Sequence, residues 1–250
     1  MDIQAYLDRI GYRGPLTPTA ETLRALQVAH LQTIPFENLS IHAHQPIVLD
    51  DESLFEKVVV RRRGGFCYEL NGLFTALLRA LGFQVTMLSA EVASADGTFS
   101  PPFDHMALRV DLEERWLADV GFGDSFRDPL RLDERGEQPE LPRTFRIDED
   151  SPYLLLLRRD GPEEPWQPQF RFTLQPHEYP DYAGMCHFHQ TSPDSHFTRQ
   201  TVCSLATPDG RVTLSGRKLI TTRGGERQER LLGSDEERAS VLRELFGVVV

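Results

Sequence analysis

Arg63-Gly64-Gly65-Phe66-Cys67-Tyr68-Glu69-Leu70-Asn71-Gly72-Leu73-Phe74-Thr75-Ala76-Leu77-Leu78-Arg79-Ala80-Leu81-Gly82 is the stretch on which the fold turns. Phe66, Leu70, Leu73, Phe74, Leu77, Leu78 and Leu81 recur at offsets 0, 4, 7, 8, 11, 12 and 15. That is the buried stripe of an amphipathic helix, and Gly82 stands where a left-handed C-terminal cap belongs. Two glycines lead into this helix, and a cysteine occupies its first turn. Unpaired N–H groups and the positive end of the helix dipole lie there, and both favour a thiolate. Gly64 and Gly65 would bring backbone donors close to a substrate oxygen. Taken alone, Cys67 reads more simply as a small hydrophobe in a helix interface.

Upstream, the pattern is also helical. Thr19 can cap a helix carrying Leu23, Leu26, Ala29 and Leu31, which Pro35 stops. A second helix is expected over residues 53–62, with Leu54, Phe55, Val58 and Val59 facing inward. Downstream the period shifts to two. Residues 83–92 read as a strand. In 105–110, Met106, Leu108 and Val110 alternate with His105, Ala107 and Arg109. A polar turn at 111–114 leads into a strand at 115–120, so a hairpin is expected. Further strands are expected at 153–158, 170–174, 198–206 and 211–215, with Thr207-Pro208-Asp209-Gly210 as a turn. Ser234 with Glu237 opens a last helix in a capping-box pattern. Residues 128–140 and 160–168 read as exposed loops. Helices first, then antiparallel strands, then a mixed end, make an α+β arrangement.

The chain has 250 residues and a net charge of −11. That balance argues against general binding to nucleic acid or to an anionic membrane. No apolar run approaches the length that spans a bilayer, and residues 1–11 lack the apolar core of a signal peptide. Three cysteines, Cys67, Cys186 and Cys203, suit reduced thiols in a cytoplasm better than a disulfide framework. No cysteine–histidine spacing of the zinc type is complete, so no metal is expected. The pairs His42/His44 and His187/His189 read as ordinary surface or core histidines.

A cysteine nucleophile needs an imidazole base, and the base needs an orienting group. His105 begins one hairpin strand and Asp119 ends the other. If the turn centres on Leu112, the two stand directly opposed on one face, and a one-residue slip would separate them. Asp119 lies in an apolar run, Trp116-Leu117-Ala118-Asp119-Val120-Gly121-Phe122-Gly123, where a carboxylate requires a partner. Separately, His105 fits a hydrogen-bonded strand residue and Asp119 the cap of a glycine turn. With Cys67, the three read together as a nucleophile, a base and an orienting acid.

Residues 63–71 resemble the active-cysteine signature of the arylamine N-acetyltransferases. Thr33-Ile34-Pro35-Phe36-Glu37-Asn38-Leu39, His105-Met106-Ala107-Leu108, Asp119-Val120-Gly121-Phe122-Gly123 and Gln190-Thr191-Ser192-Pro193 resemble further segments of that family, in family order. The resemblance implies a helical bundle with the nucleophile (1–83), a central antiparallel β-barrel with the histidine and the acid (84–195) and a C-terminal α/β lid (196–250). It implies that the first two parts are similar to papain-like thiol enzymes. It implies Cys67, His105 and Asp119 as the catalytic triad and acetyl-CoA as co-substrate. The acetyl group would pass by a ping-pong route to the nitrogen of arylamines, arylhydrazines or N-hydroxyarylamines. It implies coenzyme contacts at Phe188, Asp194 and Pro101, and an acceptor pocket of Phe36, Gly121, Phe122 and Asp104. Asp194 departs from the small hydroxyl residue usual in the family, and an acid there would repel phosphate. The nearest rival is a thiol hydrolase or transglutaminase-like enzyme using the same three residues. A second is a non-catalytic binding protein on this fold.

Overall fold

The computed structural model describes residues 1–249. The N-terminal third holds helices α1 (Ile3–Arg9), α2 (Ala20–Thr33), α3 (Leu39–His42), α4 (Asp51–Phe55) and α5 (Cys67–Ala80), with the two-residue strand β1 (Phe36–Glu37) between α2 and α3. Thr19 caps α2 as expected, its side chain accepting the Thr22 N–H at 3.2 Å. The helix expected at 53–62 starts earlier, at Asp51, because Asp50 takes the cap and accepts the Ser53 N–H at 2.8 Å. It then loosens into a π-helical turn, Glu56–Val60, before the glycine pair. Helix α5 follows the periodicity, and Gly82 adopts the left-handed φ of +92°.

Leu70, Leu73, Phe74, Leu77 and Leu78 on α5 have no exposed surface, and they anchor the larger of the hydrophobic cores. Each such burial stabilises by roughly 1.5–3 kcal/mol relative to exposure.

The middle of the chain supplies β2 (Gln84–Val92), β3 (His105–Asp111), β4 (Arg115–Ala118), β5 (Leu130–Arg131), β6 (Gln138–Glu140), β7 (Arg143–Asp150), β8 (Tyr153–Arg159) and β9 (Gln167–Phe172). These form one antiparallel sheet, β5-β4-β3-β2-β9-β8-β7-β6, which curls into a nearly closed barrel. The region 128–140, read as loop, therefore carries two short barrel strands, β5 and β6. Helices α6 (Tyr179–Thr191) and α7 (His196–Arg199) follow. Strands β10 (Val202–Thr207), β11 (Gly210–Ser215), β12 (Lys218–Arg223) and β13 (Glu226–Leu231) and helix α8 (Asp235–Phe246) complete the fold. The strand expected at 198–206 starts only at Val202, because Ser195 caps the short helix α7 and takes residues 196–199 with it. The lid region expected at 196–250 ends at Val250, which lies outside the described residues.

Strand β1 ties the N-terminal helices to the C-terminal strands. It joins the C-terminal sheet at its edge, with Phe36 opposite Ser204 and Glu37 opposite Cys203.

The β3–β4 hairpin departs from the expected register in an informative way. Asp111 pairs with Arg115 and Leu108 with Ala118, so the turn centres on Glu113 and not on Leu112. Extending that register sets His105 opposite position 121. Asp119 becomes the diagonal neighbour, two residues along, and a two-residue offset keeps both side chains on one face.

Candidate active site

Cys67 is the first residue of α5, with Phe66 as its N-cap. The loop before it is held by its neighbours. Glu37 N–H donates to Gly65 O at 2.8 Å, and Arg63 donates twice to Glu37 Oε1, at 3.1 and 2.9 Å. A Cβ on Gly64 would lie 1.9 Å from Pro35 O, so only glycine fits there. On Gly65 it would meet Glu69. The glycine pair thus has a reason in internal close packing that the sequence expectation did not include. Glu69 accepts the Phe66 N–H at 3.1 Å and meets buried Lys57 at 2.7 Å. The Thr33–Leu39 segment is the counter-surface against which the cysteine loop is cast.

The sulfur lies at the start of β3, bracketed by main-chain groups on both sides of His105. The thiol donates to Asp104 O at 3.9 Å, and the Met106 N–H points at the sulfur. His105 Nε2 stands 2.7 Å from Asp119 Oδ2. A lone pair facing a carboxylate at that distance would repel it, so Nε2 carries the hydrogen. Asp119 Oδ1 accepts from Asn71 Nδ2 at 2.8 Å and from the Gly121 N–H at 2.7 Å. Three donors on one carboxylate fix its orientation.

Asn71 is central to this arrangement. Its amide nitrogen also reaches Met106 O at 2.6 Å, and its oxygen accepts the Val120 N–H at 2.8 Å. One side chain on α5, one turn past the cysteine, thereby holds the acid, the histidine strand and the glycine turn. Gln27 of α2 adds a further tie, accepting the Asp119 N–H at 3.1 Å.

Cys67, His105 and Asp119 are each 3 % exposed. Burial pushes the Cys67 thiol well up, and the Asp104 and Asp119 carboxylates add to the rise, against the lowering effect of the Met106 N–H. That direction opposes the thiolate that the helix start alone favours.

Of the other residues singled out from sequence, Phe122 packs edge-on to His105, with ring centroids 5.1 Å apart. Gly121 lies directly behind Cys67: a Cβ there would be 2.7 Å from Cys67 Cα. Phe36 is half-buried on β1 and tilts against Phe197. Phe188 is 37 % exposed on α6. Pro101 is exposed on the loop before β3, and Asp194 faces solvent beside Arg199, 3.8 Å away. Asp104 is inside the site, with His189 Nε2 3.1 Å from its Oδ1. Read from sequence as ordinary, His189 is 2 % exposed and belongs to this cluster. The signal that it sits on a helix was Glu178-Tyr179-Pro180-Asp181, an N-terminal cap with early proline; the Asp181 carboxylate does accept the Glu178 N–H at 2.9 Å.

A family model described as N-acetyltransferase matches residues 19–250. The chain is 35 % identical to arylamine N-acetyltransferase 1 of Homo sapiens, over 99 % of this chain and 94 % of that protein. The chain belongs to the arylamine N-acetyltransferase family. Similarity to the enzyme of Mycobacterium tuberculosis is also 35 %, over 100 % of this chain and 90 % of the relative. Among solved structures, the Mycobacterium marinum arylamine N-acetyltransferase in complex with CoA superposes with a TM-score of 0.91 at 34 % identity, covering 99 % of this chain and 93 % of that one. The α+β architecture expected from sequence is the architecture of this family. No helix of the described residues is long and apolar enough to cross a membrane.

Proposed function

We propose that this arylamine N-acetyltransferase carries the acetyl group on Cys67, with His105 as base and Asp119 as its orienting acid. The observation that carries the reading is the continuous contact from Asp119 through His105 to the strand residues that bracket a cysteine at a helix start. Acetyl-CoA is the donor. As substrate binds, the thiol proton passes to His105 Nδ1 and the sulfur attacks the thioester carbonyl carbon. The Cys67 N–H, at the first helical position, has no intrahelical partner and is placed to steady the oxyanion. The tetrahedral adduct collapses with loss of the CoA sulfur, which leaves with the proton from His105. The amine nitrogen of an arylamine, arylhydrazine or N-hydroxyarylamine then attacks the acetyl-cysteine. Its proton goes to His105, the acetyl–sulfur bond breaks, and the free thiol returns.

Phe122, edge-on to His105, and Phe36 are the aromatic wall against which the acceptor lies, with Gly121 and Asp104 at its base. Phe188, half open on α6, and Pro101 flank the coenzyme. Asp194 is turned to solvent beside Arg199, a position from which it would repel a phosphate, so its contact with the coenzyme is the weakest member of that set. The three-part division at 83/84 and 195/196 separates the nucleophile, the base–acid pair and the covering sheet. Three buried unpaired thiols suit a reducing compartment, and we place the protein in the cytoplasm.

Incubation with acetyl-CoA and no acceptor should add one acetyl group to the Cys67 peptide by mass spectrometry, and Cys67→Ser should abolish both the adduct and amine acetylation. Amine acetylation by the serine variant at the parental rate would rule out the thioester route. Release of free acetate in preference to acetylated amine would favour the hydrolase reading instead.

A further inference from the structure

A second histidine–aspartate contact touches the nucleophile, and the catalytic sequence above does not use it. His189 on α6 reaches Asp104 Oδ1 at 3.1 Å through Nε2, and its Nδ1 meets Ser195 Oγ at 3.0 Å. The order Ser195–His189–Asp104 imitates a hydrolytic triad, but Ser195 is 2 % exposed and its oxygen already caps α7 by accepting the Phe197 N–H at 3.2 Å. It is an anchor for the ring, not a nucleophile. Because Nε2 faces a carboxylate, it carries a hydrogen, and Nδ1 accepts from the serine or, in the cation, donates to it.

Asp104 is tied to Cys67 through its backbone. Its carbonyl receives the thiol hydrogen at 3.9 Å and the Tyr68 hydroxyl hydrogen at 3.1 Å. Phe103, just before it, holds a left-handed φ of +67°, unusual for an aromatic residue. Its carbonyl takes the same Tyr68 hydroxyl at 2.6 Å, and its N–H donates to Ser89 Oγ at 2.8 Å. A backbone strained in this way persists where its surroundings over-determine it, and here they turn two successive carbonyls to the Tyr68 hydroxyl, the second of which also meets the Cys67 thiol.

We propose that Asp104 and His189 act as a positioning pair for Cys67: the Asp104 carbonyl fixes the direction of the sulfur, while His189 offsets the Asp104 carboxylate that would otherwise stand against a developing thiolate. This rests on Cys67 being the acyl carrier. Burial alone would raise the Asp104 carboxyl, but His189, with Ser100 and His196, outweighs it and keeps the group below the usual carboxylate range. The carboxylate is therefore ionised when the sulfur must ionise, and its charge is what His189 counters. The other charges that bear on the sulfur are those of Asp119 and, from α6, Cys186. Around the His189 ring stand Tyr68 and His196, with ring centroids 6.1 and 6.0 Å away.

The test is the pH profile of Cys67 alkylation by iodoacetamide, followed on the Cys67 peptide by mass spectrometry and requiring no acetyl-CoA. His189→Gln keeps a hydrogen-bond donor but removes the capacity for charge. It should slow alkylation by about threefold to tenfold on the rising limb, an upward shift of about half to one pH unit. Asp104→Asn keeps the carbonyl and removes the carboxylate; it should shift the profile down, and the double variant should return to within about twofold of the parent. A His189→Gln profile superimposable on the parent, or a double variant as slow as the single, would overturn the proposal. Should His189→Gln fail to fold, Asp104→Asn decides alone: an unshifted profile overturns it. Parental amine acetylation is measured in parallel. Its absence would sink the proposed activity and leave the alkylation result standing, whereas an active parent with unshifted variants would sink only the pair.

Discussion

His105 meets Asp119 at 2.7 Å, and His189 meets Asp104 at 3.1 Å, two pairs that start from adjacent positions of the chain, 105 and 104. The first pair is built from a strand and the turn after its partner strand, and its acid is gripped by Asn71, the Gly121 N–H and the imidazole. The second joins a helix to a loop, and the contact lacks the alignment of a good hydrogen bond, His189 Nε2 having no such partner among the described residues. A tightly aligned pair fixes a tautomer and so serves proton transfer. A looser one holds charge against charge, which is less sensitive to angle. The same two residue types are thus held with different rigidity by what carries them. His30 supplies the third case. It is wholly buried, faces the Tyr6 hydroxyl at 2.8 Å and has no carboxylate partner, and burial, aided by Arg9, pushes it down to about 3. Without an acid, a buried imidazole stays neutral.

The largest effect should come from the first pair. His105→Ala or Asp119→Ala should lower kcat/KM for amine acetylation by about 10³-fold or more, read as free CoA thiol released. His189→Ala should fall well short of that, and an equal loss would erase the distinction between the pairs. Asn71→Ala comes next. Removing the donor to Asp119 and the acceptor from Val120 should cost about 10- to 100-fold in kcat, as for other residues that orient a catalytic group. Urea unfolding of the same variant should show a stability loss of about 1–3 kcal/mol from buried groups left unpaired. A variant with unchanged kcat would mean that Asp119 is oriented by Gly121 alone.

The smallest effect concerns the lone imidazole. The folded state keeps His30 neutral while the unfolded chain protonates it, so the unfolded state binds more protons between 6.5 and about 3. Stability is full above that window and falls as pH drops through it, by up to about 1.4 kcal/mol per pH unit. His30→Leu should be less stable at neutral pH, because the Tyr6 hydroxyl loses its partner, yet its unfolding midpoint should decline less steeply with acid. An unchanged slope would show that other groups govern acid unfolding.

Much of this site was legible in the sequence where periodicity and end signals agreed. Helix α5 announced itself through Phe66, Leu70, Leu73, Leu77 and Leu81, and Cys67 fell at its start. The hairpin parity brought His105 and Asp119 to one face even though the pairing was offset by two residues, because a shift by an even number changes the partner and not the face. The parts that stayed hidden lack such a stripe. Helix α6 mixes His187, Gln190 and Gly184 with its few apolar positions, and every residue of β13 is exposed, so neither shows a buried face to read. His189 was passed over because its meaning depends on a loop 85 positions earlier in the chain, at Asp104. The glycine pair was seen, but one reason for it was not: the backbone that crowds Gly64 belongs to Pro35, a non-local contact invisible in the local pattern.

Glu37 and Asn38 sit side by side, yet they face opposite ways. Glu37 grips the loop before Cys67 through Arg63, while Asn38 donates to the carbonyls of Phe197 and Gln200 and accepts the Val202 N–H, partners up to 164 positions away. During synthesis, the ribosome must therefore deliver about four-fifths of the polypeptide before the nucleophile loop has its full set of restraints. A nascent or truncated chain ending before residue 197 would carry its reactive sulfur on an unfinished mount. The seat of the Cys67 loop is thus complete only when the last sheet arrives.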